Sequence, residues 1–239
     1  MIVDFVHDLV CPWCRIGLAN LRAAAALRPD DPLTIRFRPY QLNPGMPEQG
    51  VDYRTYLKQI TGGGDPAQVN EKVEKAGQAA GVTFHFDRIS KAPNSLMAHA
   101  MVAAAPEADR ERLIDALHRA YFEDGRDIGD RETLLAIAGE TAVDAKAMAA
   151  ALSYPDFRKM VGDLADQVRK DGVQAVPFFV FNDAVALAGA YPPAQLVQAM
   201  AKAAEVAAER AAQQPPVEAA ADDAPAEIPA DEPVKSGVE

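Results

Sequence analysis

The two cysteines of this 239-residue chain stand three positions apart, in Cys11-Pro12-Trp13-Cys14. That tetrapeptide follows an apolar opening, Ile2-Val3-Asp4-Phe5-Val6, and precedes an Ala-rich run from Ile16 to Leu27. The opening has the brevity and composition of a buried strand over residues 1–8, and the run has a helical pattern. Cysteines separated by nearly one helical turn of ~3.6 residues fall on the same side of the first turn. Their sulfurs are then close enough to form a disulfide with little backbone movement. The first also lies at the helix N-terminus, where unpaired N–H groups and the dipole favour a thiolate. A dithiol–disulfide redox site is the leading reading.

The flanking pattern extends that unit. The helix from Cys11 to about Leu27 stops at Pro29 and the Asp30-Asp31-Pro32 turn. Leu33-Thr34-Ile35-Arg36-Phe37-Arg38 alternates apolar with polar, as a strand with one buried face does. The first β-α-β unit therefore carries the Cys-x-x-Cys at its first junction, and parallel strands are expected. From Pro44 helical patterns take over. A turn at Pro44–Pro47 leads to a short helix over 51–60, a break at Gly62-Gly63-Gly64, and an N-cap with N1 proline at Asp65-Pro66. Helices are expected over 66–80, 94–105, 109–123, 131–140, 144–152 and 155–171, with a short extended piece at Thr83–Phe86. Strand texture returns at Val176–Phe181 and, after a tight turn at Asn182-Asp183, at Ala184–Ala188. Pro192-Pro193 opens a final helix reaching about Ala212. Pro177 comes 166 positions after Cys11, too far for a minimal redox domain. The fold class is therefore α/β with an all-helical insertion.

Composition narrows the partners. The apolar fraction of 49% and charged fraction of 25% are those of an ordinary globular protein. The net charge of −11 argues against nucleic acid or an anionic membrane. From Gln213 to Glu239 there are seven acids and one base, a net of −6 that leaves only −5 on the body. This Ala/Pro/acid-rich tail holds too little apolar surface to offset its ordering entropy, so disorder is expected over 213–239. Asp4, His7 and Asp8 near the start, with no basic stretch or long apolar run, predict no export leader and no membrane span. A cytoplasmic location follows, where disulfides are usually transient and catalytic.

A lone Cys-x-x-Cys also fits half of a zinc site or two idle core cysteines. Structural zinc needs four ligands, however, and His7, His85, His99 and His118 are scattered, so no metal is expected. Trp13, between the cysteines, offers an apolar platform to a substrate. Arg15 is either a partner to the thiolate or a solvated surface cation. Asn94 and His99 are structural, as an N-cap and a satisfied core histidine, or they line a cleft facing the cysteines. Pro177 opens an apolar strand although it removes a ladder donor.

The segments Asp8-Leu9-Val10-Cys11-Pro12-Trp13-Cys14-Arg15-Ile16-Gly17, Gly172–Pro177 and Ala188-Gly189-Ala190 resemble the DsbA-like thioredoxin superfamily, in particular its cytoplasmic FrnE-type branch. Pro93-Asn94-Ser95, Ala98-His99 and Ile128-Gly129-Asp130 agree with that resemblance, which spans about residues 1–205. It implies a thioredoxin-like fold with parts at 1–45 and 173–212, and a helical insertion domain at 46–172. It also implies that Cys11 attacks substrate disulfides and Cys14 resolves the mixed disulfide. Val176–Pro177 would be a cis bond beside them, offering backbone groups to an extended substrate. Two departures, Ala190-Tyr191-Pro192 in place of Ala-Gln-Pro and Ala175 in place of glycine, bear on substrate fit. Related hydroxychromene-carboxylate isomerases and kappa-class glutathione transferases share the insertion but typically carry serine at the first cysteine position.

The resemblance thus implies a protein-disulfide oxidoreductase or isomerase, monomeric or homodimeric, acting on protein or small-molecule disulfides. Cys11 and Cys14 are the expected catalytic residues, and Trp13, Val176 and Pro177 the expected substrate contacts. No cofactor is required, and glutathione is an optional partner. Two alternatives stay open: a glutathione-dependent transferase or isomerase of small molecules, and a non-enzymatic thiol redox sensor with the tail as its interaction arm.

Overall fold

A computed structural model of the chain describes residues 1–62 and 64–213. The expected tail therefore lies outside the described residues from position 214 onward.

Strand β1 (Ile2–His7) is buried at every residue but its first. Helix α1 (Pro12–Ala26) follows, with Cys11 as N-cap and Pro12 at a first-turn position where its missing N–H goes unused. It ends at Leu27, ahead of Pro29, and β2 (Thr34–Pro39) completes the β-α-β unit. The insertion opens with β3 (Val51–Asp52) and α2 (Tyr53–Ile60), then α3 (Pro66–Ala79). Strand β4 (Lys91–Ala92), α4 (Leu96–Ala104), α5 (Glu107–Phe122), α6 (Arg131–Glu140), α7 (Ala145–Leu152) and α8 (Pro155–Lys170) complete it. Aspartates start four of these helices by accepting first-turn N–H groups: Asp52, Asp65, Asp130 and Asp144. The chain closes with β5 (Phe178–Phe181), β6 (Val185–Ala188) and α9 (Pro193–Gln213).

Two local details differ from the expected pattern. Strands β3 and β4 form a two-residue antiparallel ladder inside the otherwise helical insertion. Thr83–Phe86, expected to be extended, is a loop running into a 3-10 turn over Phe86–Arg88. Its His85 N–H donates to the carbonyl at the end of α5, Phe122, at 2.7 Å, so it has no strand to pair with.

The main sheet has the order β2-β1-β5-β6. Strands β1 and β2 are parallel, whereas β5 runs antiparallel to both β1 and β6. Successive side chains of β1 face opposite ways. Phe5 meets Phe179 in the main core, their rings tilted at 32°, while Val6 joins Val168 of α8 in a smaller cluster with Tyr40 and Val173. Helix α1 packs along α9, and α8 packs on β2. Helix α4 touches α5, α6, α7 and α8, and Ala98 through Val102 are buried. A helix enclosed by neighbours needs apolar residues all round, which Leu96–Ala104 supplies.

His118 on α5 has an acid-stability consequence. Among the described residues neither of its ring nitrogens has a hydrogen-bond partner, and the residue is fully buried. Burial, helped by the charges of Arg15 and Arg22 and by His99, lowers its pKa to about 3. Burial likewise holds His7 well below its ordinary value. A depressed folded-state pKa contributes stability that is complete above the unfolded value near 6.5 and is lost as pH falls towards the folded one. Each histidine should therefore cost about 1.4 kcal/mol per pH unit below ~6.5. His118→Leu, which abandons no hydrogen bond, should change stability at pH 7.5 by less than about 1.5 kcal/mol. Between pH 6 and 4 its urea-unfolding free energy should fall less steeply than that of the unsubstituted chain, by about 1.4 kcal/mol per unit.

Candidate active site

The sheet register brings the two distant halves of the site together. Val6 of β1 lies opposite Phe178 of β5, so Val176 and Pro177 continue alongside the turn that leaves β1. That turn is closed by the Cys11 N–H donating to the Asp8 carbonyl at 3.1 Å, and α1 begins as the Cys14 N–H donates to the Cys11 carbonyl at 3.0 Å. Both cysteines are free thiols and both are buried, Cys14 completely and Cys11 to 3% exposure. The Cys11 Sγ lies 3.8 Å from the Val176 carbonyl oxygen, and the Val176–Pro177 peptide is cis.

Helix α1 approaches Pro177 closely because position 17 has no side chain. A Cβ on Gly17 would stand 2.8 Å from Pro177 Cγ and 3.3 Å from Phe179 Cζ. Gly17→Ala should therefore part α1 from β5, destabilising the chain by about 1–3 kcal/mol in urea unfolding. The spacing of the Cys11 Sγ from the Val176 carbonyl should open with it.

Beneath the cysteines lies a residue that the motif reading passed over. Asp8 is 1% exposed. Its carboxylate accepts the Leu42 N–H at 2.7 Å and the Val10 N–H at 3.4 Å, and lies 3.3 Å from His99 Nε2. Its own N–H points to the Cys14 Sγ at 3.5 Å. Burial pushes the Cys14 thiol well above its ordinary value. A hydrogen bond with Cys11, the Cys11 charge and the Asp8 charge push the same way, against the pull of the Asp8 N–H. Cys14 is thus held as a thiol beside its partner, and the buried Asp8 carboxyl bears on it through its charge. An acid three positions before a Cys-x-x-Cys, at the end of a strand expected to be buried, is the signal the sequence contained.

The other singled-out residues divide clearly. Trp13 is half-buried at the edge of a cavity that also touches Cys11 and Val176. Arg15 is neither a thiolate partner by its contacts nor a solvated cation. It is buried, donates to the Thr83 carbonyl at 2.7 Å, pairs with Glu123 and lies over the Phe84 ring. It ties α1 to the insertion. Asn94 bridges Gln41, the Met46 carbonyl and the Leu96 N–H, a structural knot at the start of α4. His99 is buried on Asp8 and meets His7 edge-on at 5.4 Å, so two of the scattered histidines converge. Among the described residues no cluster of three or more His, Cys, Asp or Glu is arranged to hold a metal ion. No helix among them is long and apolar enough to cross a membrane.

This arrangement has known counterparts. The crystal structure of a probable DsbA oxidoreductase from Streptomyces coelicolor superposes with a TM-score of 0.77 at 27% identity, covering 86% of this chain and 90% of that one. A structure described as the cytosolic disulfide reductase DsbM from Pseudomonas aeruginosa with GSH shares the fold. Its TM-score is 0.57 at 22% identity, over 88% of this chain and all of its own. So does a 2-hydroxychromene-2-carboxylate isomerase, with a TM-score of 0.60 at 19% identity, over 90% of this chain and all of its own. Among curated sequences, the uncharacterised protein YwbO of Bacillus subtilis is 23% identical over 187 residues, 77% of this chain and 88% of its own. The model of the DSBA-like thioredoxin domain matches residues 2–201, and the chain belongs to that family.

Proposed function

We propose that this chain is a dithiol–disulfide oxidoreductase whose reacting groups are Cys11 and Cys14. One observation carries the reading: two free thiols share the first turn of α1, one at its N-cap and one sealed beneath it and held protonated. In the reducing direction, the Cys11 thiolate attacks one sulfur of a substrate disulfide and expels the other as a thiolate, leaving a mixed disulfide on Cys11. Cys14 then gives up its proton and attacks the Cys11 sulfur. The substrate leaves as a second thiol, reduced by two electrons, and the protein keeps the Cys11–Cys14 disulfide. The oxidising direction is the reverse.

Asp8 is the group we assign to receive the Cys14 proton, since its N–H meets the Cys14 Sγ and the charge of its buried side chain acts on a thiol that burial otherwise keeps from ionising. Trp13 supplies an apolar contact to the substrate, and the Val176 backbone, beside Pro177, lies within reach of a chain bound at Cys11. Monomeric or homodimeric action in the cytoplasm, without a required cofactor, completes the proposal.

Insulin reduction in dithiothreitol, followed by turbidity, and reactivation of scrambled ribonuclease test this reading together. Catalysis of either supports it. A chain that accelerates neither, although its two thiols titrate normally, rules it out.

A further inference from the structure

Beside Cys11 lies a cavity of about 260 Å³. Met46, Tyr53, Tyr56, Leu57, Phe86 and Tyr121 form its walls. Three exposed apolar residues that also line it, Leu42, Ile60 and Val69, therefore form its rim. Among the described residues lining it there is no Lys, Arg or His, and the one ionisable carboxylate is Asp8. Burial, with the neighbouring charges of Asp8 and Cys11, keeps the Tyr56 phenol protonated. The cavity is thus aromatic, neutral to negative, and open at an apolar edge.

We propose that this cavity selects a small, uncharged aromatic disulfide as the oxidant of the Cys11–Cys14 pair, and that it disfavours anionic disulfides such as oxidised glutathione. This rests on the exchange reading above. A carboxylate placed here would be desolvated with no cation to offset it and would face Asp8. An aromatic ring would instead meet the edges and faces of tyrosines and phenylalanine, with one sulfur directed at Cys11. In the reaction the two protein thiols give two electrons and two protons to ArS–SAr. The Cys11–Cys14 disulfide forms, and two ArSH molecules leave.

The test uses the full reduced chain and three oxidants: neutral 2,2′-dithiodipyridine, dianionic 5,5′-dithiobis(2-nitrobenzoate) and oxidised glutathione. Trp13, the sole tryptophan and part of the cavity edge, reports the reaction by fluorescence. Each rate is divided by that of free dithiothreitol with the same oxidant. The neutral aromatic disulfide should saturate, and its normalised rate should exceed that of the dianion by about tenfold or more. Ile60→Lys and Val69→Lys, both at exposed rim positions, should each narrow that ratio several-fold, and added salt should restore it. Normalised rates that are equal, or that favour glutathione or the dianion, overturn the assignment while leaving the exchange reading intact. Rim lysines without effect on the ratio overturn it as well. No reaction beyond that of a Cys11→Ser variant with any oxidant overturns the exchange reading, and this inference with it.

Discussion

A Cys14→Ser variant should accumulate a covalent mixed disulfide on Cys11, and its turnover of a disulfide substrate should fall at least about a thousandfold. The geometry gives the reason. Cys14 is completely buried and absent from the cavity lining, whereas Cys11, at the N-cap of α1, lines the cavity, so the sulfur that a substrate reaches is Cys11. Serine at position 14 leaves the first attack possible and removes the second. Intact-mass measurement under non-reducing conditions should find one substrate adduct per chain. Cys11→Ser should lose a similar factor in rate but form no adduct. The double variant should be no slower than either single one, because the two sulfurs act as one unit. An adduct mapped to Cys14 in the unsubstituted chain would reverse the assigned roles.

Asp8→Asn should slow resolution of the mixed disulfide by about a hundredfold, with little change in its formation. The substitution keeps an oxygen for the Leu42 N–H and removes the proton acceptor proposed for Cys14. It also leaves His99 facing an amide, so a loss of stability of about 1–3 kcal/mol should accompany it. Single-turnover kinetics with a fluorescent disulfide separate the two steps. The opposite result, faster resolution with its pH midpoint shifted down, would mean that the Asp8 charge merely raises the Cys14 pKa and takes no proton.

Much of this site was legible in the residues because local chemistry announces itself. The Cys-x-x-Cys between a buried strand and a helix, the Asp65-Pro66 start of α3 and the proline ahead of β5 each act within a few positions. The rest depends on contacts that no local pattern encodes. His99 reaches Asp8 across 91 positions, and Arg15 reaches Glu123 across 108. Each looks like an ordinary polar residue on a helix until its partner is known. The β3–β4 ladder was invisible because two residues are too few to show a period. Thr83–Phe86 has strand composition, yet its backbone is claimed by the end of α5. The cavity was hidden most completely, since its lining comes from α1, α2, α3, α5, β4 and the connections between elements far apart in the chain.

Cys11 belongs at once to the dithiol and to the cavity wall, and thermodynamic reciprocity follows from that shared position. If an occupant binds the dithiol form and the disulfide form with different affinity, the redox state of the pair sets its occupancy. By linkage the occupant then sets the reduction potential, by about 30 mV for each tenfold difference in affinity. The chain would accordingly have no single potential of its own, but one that tracks the concentration of whatever small molecule fills the space beside Cys11.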